Sequence, residues 1–279
     1  MKKVSVADIK LSNQNEFGLI CGLNVLESNE VITKVVEETL AITKKLSIPF
    51  IFKASYDKAN RSSKDSYRGP GIKEGLRTLK SIKEDYSIPI ISDVHSVEEV
   101  APAADVLDII QIPAFLCRQT DLIEECAKTK LPINVKKAQF LSPGDMKNII
   151  EKILSFDNEN ILLCERGTIF GYNNLIVDML GLVELKDFKY PVIFDVTHSL
   201  QQPGGLGKST AGRRHHALNL AKSAMALGLA GLFLEVHPNP DKALCDGPCA
   251  LPLHKLEDFL SQIKALDSLT KNLPALEIT

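Results

Sequence analysis

The chain is punctuated by short apolar runs, each ending on a charged or amide side chain. Seven read FIFK to Lys53, IISD to Asp93, DIIQ to Gln111, INVK to Lys136, ILLCER to Arg166, VIFDVTH to His198 and LFLE to Glu235, and an eighth, LICGLN, comes first and ends on Asn24. Runs this short, rich in Ile, Val, Leu and Phe with little polar alternation, predict strands buried on both faces, as in a parallel sheet. Between them lie amphipathic stretches such as SNEVITKVVEETLAITKKL, GIKEGLRTLKSIKED and PGDMKNIIEKIL, whose apolar positions follow the helical period. Pro49, Pro89, Pro132 and Pro191 each stand at or just before the start of a strand. Proline stops the preceding helix and is tolerated at a strand's first residue. Eight strands alternating with helices predict an α/β fold, the (β/α)8 TIM barrel. A doubly wound open sheet is the alternative, but it would carry a Gly-rich fingerprint after the first strand, and LICGLNVLES supplies none. Residues 3–15 alternate apolar and polar side chains and predict a small N-terminal hairpin cap, about residues 1–16. No linker or composition break divides the rest, so one barrel domain is expected over residues 1–279.

Two connections are unusual: the polar loop ASYDKANRSSKDSYRGPGI (54–72) after the second strand and the Gly-rich loop SLQQPGGLGKSTAG (199–212) after the seventh. In a barrel both open on the C-terminal face, where active sites are built. The second is expected to be a flexible lid, with Gly207 and Gly212 as hinges. GGLGKST does not make a nucleotide P-loop, because the motif needs glycine at position 202, where this chain has Gln202.

Placed in a ring on that face, Lys53, Lys136 and Arg166 converge, Lys58 and Arg61 overhang from the long loop, and Asp93, Gln111, His198 and Glu235 share the rim. Taken singly, a charge just past a buried strand is simply where the chain meets water. As a set, three like charges would repel by roughly 1–3 kcal/mol per pair at about 6 Å unless an anion neutralised them. A phosphate ester that also carries a carboxylate would do so. His198, Glu235 and Asp246 come from neighbouring strand ends and could form either a divalent-metal set or an acid–base group that positions a water. Asn24, at the fourth corner, is a poor ligand for a transition metal. His215 and His216 read as the solvated start of a helix, His95 could belong to the rim or the core, and His237 could help orient a ligand or merely cap its loop.

Composition narrows the partners. The chain has 279 residues, 44% of them hydrophobic, and a net charge of −2. The pI is about 6.3, so no general basic field exists to hold nucleic acid or an anionic membrane, and any anion site must be local. The start, MKKVSVADIK, lacks a signal-peptide apolar run, and no run of uncharged residues is long enough for a membrane span. Six scattered cysteines in a chain of this size are expected as reduced thiols, which points to the cytoplasm. Cys245 and Cys249 lack the second pair that a zinc-finger site needs.

The segments FKASYDKANRSS (52–63), SYRGPG (66–71), SDVH (92–95), QIPAFLCRQTDL (111–122), NVKKAQFLSPG (134–144), ERGTIFGYNNLIVDM (165–179), FDVTHSLQQPGG (194–205), AGRR (211–214) and EVHPNPDKALCDGPCALPL (235–253) resemble the 3-deoxy-D-manno-octulosonate-8-phosphate synthase family. The likeness runs from about Leu19 to the C-terminus. It implies condensation of phosphoenolpyruvate with D-arabinose 5-phosphate, for the core sugar of lipopolysaccharide, by a homotetramer of barrels. It also implies that Lys53, Lys58, Lys136, Arg166 and Gln111 hold phosphoenolpyruvate, with Ser55 and Ala114 nearby. Asn60, Arg61 and Ser62 would belong to the sugar-phosphate site, with Arg61 reaching into a neighbouring subunit's site. Asp93 would contact the sugar, and His198, Glu235 and Asp246 would surround the reacting carbon. With Lys136 and Asn24 these make up the expected catalytic set. The family has metal-dependent and metal-independent branches, and the former has Cys where this chain has Asn24. Asn24 therefore resembles the metal-independent branch, and neither metal nor cofactor is expected. Cys21, three residues earlier on the strand, would point elsewhere. The nearest rival is the barrel that condenses phosphoenolpyruvate with erythrose 4-phosphate, against which KANRSS and Asn24 argue. A non-catalytic anion-binding barrel would have no reason to keep His198, Asp93 and Glu235 on the same rim.

Overall fold

The computed structural model describes residues 1–61, 63–204, 211–274 and 276. The N-terminal hairpin pairs β1 (Val4–Val6) with β2 (Ile9–Leu11). Strands β3 (Gly18–Val25), β4 (Phe50–Ser55), β5 (Ile90–Asp93), β6 (Ile109–Ile112), β7 (Ile133–Lys136) and β8 (Ile161–Glu165) follow in order, each parallel to the last. A short hairpin of β9 (Thr168–Ile169) and β10 (Leu175–Ile176) precedes β11 (Val192–Asp195), which pairs with β8. After β12 (Gln201–Gln202) and β13 (Ala211–Gly212) comes β14 (Gly231–His237), which pairs with both β11 and β3 and closes the barrel. The expected TIM barrel with an N-terminal hairpin is thus the observed architecture. A further short strand, β15 (Leu251–Pro252), adds to the far end of β14.

The helices lie where the period-3.6 pattern puts them. The first, α1 (Asn29–Leu46), starts at Ser28, whose hydroxyl accepts from Val31 N, and ends at Ser47 in the left-handed region. It turns Ile32, Val35 and Val36 to the barrel. The others are α2 (Ile72–Tyr86), α3 (Val97–Ala104), α4 (Thr120–Lys128), α5 (Met146–Leu154), α6 (Met179–Asp187), the single turn α7 (Val196–Ser199), α8 (Ala217–Met225) and α9 (Leu256–Asn272).

Strand alternation sorts the core into two parts. Outward residues such as Leu19, Cys21, Phe52 and Val135 pack under the helices. Inward residues such as Ile20, Ile51, Ile91 and Ile193 pack on one another and on Val4, Val6, Ile9 and Leu11 of the hairpin. The hairpin therefore plugs the N-terminal end of the barrel, and each buried aliphatic side chain contributes about 1.5–3 kcal/mol to holding it there. All six cysteines are free and buried.

Two sequence expectations are corrected. The seventh run does not continue as a strand to His198: β11 stops at Asp195, whose side chain caps α7 by accepting from His198 N at 3.0 Å. Gly212 is not a free hinge. It pairs with Gln201 across the base of the 199–212 loop, and a Cβ there would lie 2.4 Å from Cys249 Sγ. Its missing side chain serves close packing. Gly207, the other expected hinge, lies outside the described residues.

Candidate active site

The C-terminal mouth opens into a cavity of about 380 Å³. From the expected set it is lined by Lys53, Lys58, Asn60, Arg61, Asp93, Gln111, Ala114, Lys136, Arg166, His198 and Asp246. The remaining members lie just beneath, except Ser62, which is outside the described residues. The Ser55 hydroxyl donates to Asp93 Oδ1. Asn24 Nδ2 donates to Glu235 Oε2 at 2.5 Å and to Asp246 Oδ2 at 3.2 Å. Both long loops contribute: Lys58 to Arg61 on one side, and Gln201, Pro203 and Gly204 on the other.

Phe233, on β14, separates core from site. It belongs to the inner barrel cluster, and its ring lies beneath two lysines, with Lys136 Nζ 3.3 Å and Lys53 Nζ 5.4 Å from its centroid. A ring face under an ammonium is favourable and shuts water out from below.

The lysines are not left to repel each other, and here the charge argument made from sequence is corrected. Lys53 Nζ donates to Glu235 Oε1 at 2.9 Å, to Asn24 O at 3.0 Å and to Leu23 O at 3.4 Å. Lys136 Nζ pairs with Asp195 Oδ2. Arg166 Nη2 donates to Gln201 Oε1 at 2.6 Å, and Gln201 Nε2 donates to Asp246 Oδ2 at 2.7 Å. Five cationic residues (Lys53, Lys58, Arg61, Lys136, Arg166) thus face four carboxylates (Asp93, Asp195, Glu235, Asp246). The ring is close to balanced by its own chain, but not saturated. Arg61 Nε and Arg166 Nη1 are buried without a hydrogen-bond partner among the described residues.

Titration behaviour follows from this packing. Burial disfavours charge on Glu235, but His198 and Lys53 outweigh it and hold its carboxyl at about 2. Burial likewise opposes charge on Asp93, and Lys58 with His95 overcomes it, leaving the group well below the usual carboxylate range. Lys58 is held above its ordinary value: desolvation works against its charge, and Asp93 and Glu235 outweigh it. His95 contacts Asp93 through Nε2 at 3.1 Å and Glu99 through Nδ1 at 3.0 Å. Burial lowers its pKa, but these two carboxylates carry it up to about 9, so it is an imidazolium near neutral pH.

His198 Nε2 lies 3.6 Å from Glu235 Oε1 and 3.9 Å from Asp246 Oδ2. Each of the three residues offers one ligand atom within 4.8 Å of the others, so they could surround a divalent ion. Asn24 does not complete such a set. Its amide nitrogen faces the two carboxylates, while Oδ1 has no partner among the described residues. Turning the amide over would aim oxygen at two anions, so the N–H orientation is the favoured one. The amide thus links Glu235 to Asp246. Cys21 belongs to the outer core cluster and does not face this site.

A model of the DAHP synthetase I family matches residues 2–272. The chain belongs to the DAHP synthetase I family. Curated relatives include the 2-dehydro-3-deoxyphosphooctonate aldolase of Shewanella amazonensis, 56% identical over 277 residues that cover 99% of this chain and 98% of that one. The proteins of that name from Shewanella sediminis and Shewanella halifaxensis are also 56% identical, over 276 and 271 residues; they cover 99% and 97% of this chain, and 98% and 96% of their own lengths.

Sequence reading passed over several residues of this family member's site. Asp195 lies between Lys136 and His198, Gln201 joins Arg166 to Asp246, and Asn134 Nδ2 donates to Gln111 Oε1 at 2.9 Å. The signal for Asp195 was present in DVTH, an acid three residues before a histidine just past a strand. No local signal marked Gln201 or Phe233. Among the uncertain residues, His215 and His216 are exposed. His237 accepts from Asn239 N at 3.0 Å and caps the loop after β14. Arg214 pairs with Asp241.

Proposed function

We propose that this chain condenses phosphoenolpyruvate with D-arabinose 5-phosphate and water, giving 3-deoxy-D-manno-octulosonate 8-phosphate and inorganic phosphate for lipopolysaccharide core sugar synthesis. The observation that carries the reading is the coexistence, at one cavity, of buried guanidinium N–H groups on Arg61 and Arg166 that have no partner among the described residues with the cluster of His198, Asp246 and the underlying Glu235. Buried donors left open call for an anion, and guanidinium suits phosphate and carboxylate. The names of the Shewanella relatives support the same reaction.

In this reading the phosphate and carboxylate of phosphoenolpyruvate lie among Lys53, Lys58, Lys136, Arg166 and Gln111, with Ser55 and Ala114 close by. Asn60, Arg61 and Ser62 receive the sugar phosphate, and Asp93 meets a sugar hydroxyl. C3 of phosphoenolpyruvate bonds to the sugar's aldehyde carbon, whose oxygen takes a proton. Water adds to C2 and gives up its proton. Collapse of that centre breaks the bond to phosphate and leaves the ketone. His198, with Glu235 and Asp246, positions the water, while the cations offset charge that builds up on oxygen. Phe233 below and the loops above exclude bulk water.

The proposal extends to the metal-independent branch, a reading supported by Asn24, whose amide donates to both Glu235 and Asp246. The deciding assay follows phosphate release with phosphoenolpyruvate plus either arabinose 5-phosphate or erythrose 4-phosphate, before and after EDTA. Turnover with the five-carbon sugar, unchanged by chelator, is expected. Turnover only with the four-carbon sugar would replace the substrate assignment, and loss with EDTA restored by a divalent ion would reverse the metal assignment.

The proposal includes a cytoplasmic homotetramer. No helix among the described residues is long and apolar enough to cross a membrane. Phe115, Phe140, Phe170 and Tyr172 are exposed on the loops after the adjacent strands β6, β7 and β8, and offer apolar surface that assembly would cover. The finer proposal is that Arg61 reaches a neighbouring subunit's site. Within one chain it lines its own cavity and donates to Cys245 Sγ, so service in trans requires its loop to cross an interface. Mixing Arg61→Ala subunits with Lys136→Ala subunits separates the two. Recovered activity means a shared site, and no recovery in proven mixed tetramers returns Arg61 to its own subunit.

A further inference from the structure

Asp195 is fully buried at the end of β11 and touches two residues of the site at once. Its Oδ2 accepts from Lys136 Nζ and lies 2.8 Å from His198 Nδ1, a close contact without hydrogen-bond alignment. Its Oδ1 accepts from His198 N at 3.0 Å and from the Thr197 hydroxyl at 3.3 Å, and so fixes the turn that carries His198. The two central lysines are held very differently. Lys53 has three acceptors, two of them main-chain carbonyls that cannot leave. Lys136 has one acceptor among the described residues, Asp195, and otherwise lies against the Phe233 ring. Lys53 is thus anchored, while Lys136 can change partner by a small rotation of its side chain.

We propose that Asp195 is a positioning residue that holds Lys136 and His198 together in the empty cleft and yields Lys136 to the incoming anionic substrate while keeping His198 in place. The inference rests on the phosphoenolpyruvate reading above. A phosphate dianion competes with a single carboxylate for an ammonium because it brings more charge. When Lys136 turns to it, Asp195 keeps its bonds to α7, and the imidazole stays aimed at Glu235 and Asp246. Binding is then an exchange of ion pairs, and Asp195 opposes substrate affinity while supporting turnover.

The test is Asp195→Asn, which keeps the size and the Oδ1 cap but removes the charge. With phosphoenolpyruvate alone, so that no turnover occurs, calorimetry should give a dissociation constant about 3–10-fold lower than wild type, because Lys136 is no longer shared. With both substrates kcat should fall about 100-fold or more, as His198 loses its charged partner. A merely structural role would weaken both. If Asp195→Asn does not fold, the wild-type crystal structure with phosphoenolpyruvate decides: Lys136 Nζ beyond hydrogen-bond reach of Asp195, with the His198 N to Asp195 bond retained. Unchanged or weaker binding in the folded variant, or an intact Lys136–Asp195 pair in the complex, overturns the proposal. Wild-type protein that neither binds phosphoenolpyruvate nor releases phosphate would instead sink the functional reading.

Discussion

Lys136→Ala is expected to lower kcat/KM by about 10³-fold or more, roughly 4 kcal/mol of transition-state stabilisation. Lys136 is 4% exposed, sits on the Phe233 ring and is the less anchored of the two central lysines. In so dry a place an ammonium aimed at developing negative charge acts through a low dielectric. Its removal also takes from Asp195 the ammonium it pairs with. Lys136→Arg should not restore the rate, because the larger, rigidly forked guanidinium presents its donors differently from the compact ammonium that pairs with Asp195. Steady-state phosphate release measures both variants. A loss below tenfold for the alanine variant would remove Lys136 from the catalytic set.

The second large effect is on stability. Lys53 and Glu235 are 0% and 2% exposed, and Lys53→Met strands a buried carboxylate among Asn24, Asp246 and the barrel wall. Breaking such a pair from one side costs about 3–5 kcal/mol. Denaturant unfolding of Lys53→Met should show a loss in that range. Adding Glu235→Gln should recover most of the stability while activity stays absent, because the orphaned charge is gone but the site is not rebuilt. The coupling between the two positions should exceed about 2 kcal/mol. Additive losses would mean that the pair contributes little.

The barrel was legible because parallel strands buried on both faces announce themselves as apolar runs, and the helices between them keep their own period. The ring of strand-end side chains followed from that alone: Lys53, Asp93, Gln111 and Lys136 are all at or near the last residues of their strands, facing one cavity. Their partners were not legible. Lys53 finds Glu235 across 182 positions and Lys136 finds Asp195 across 59, pairings made by barrel closure rather than by local spacing. Repulsion among the cations therefore looked larger from sequence than it is. VIFDVTH was misread as one strand because Val196 and Thr197 favour strand, whereas the Asp195 cap turns them into helix. Asn24 and Cys21 sorted correctly, since three steps along a strand reverse the side chain's face.

The buried thiols have a practical consequence. Every native cysteine is at most 5% exposed, and burial raises each thiol's pKa, leaving little thiolate at neutral pH. The surface is thus chemically silent toward maleimides without any cysteine being removed. Ala59 is exposed and lines the mouth of the cavity. A single Ala59→Cys replacement would give one selectively labelled position from which a fluorophore could follow substrate arrival in an otherwise native chain.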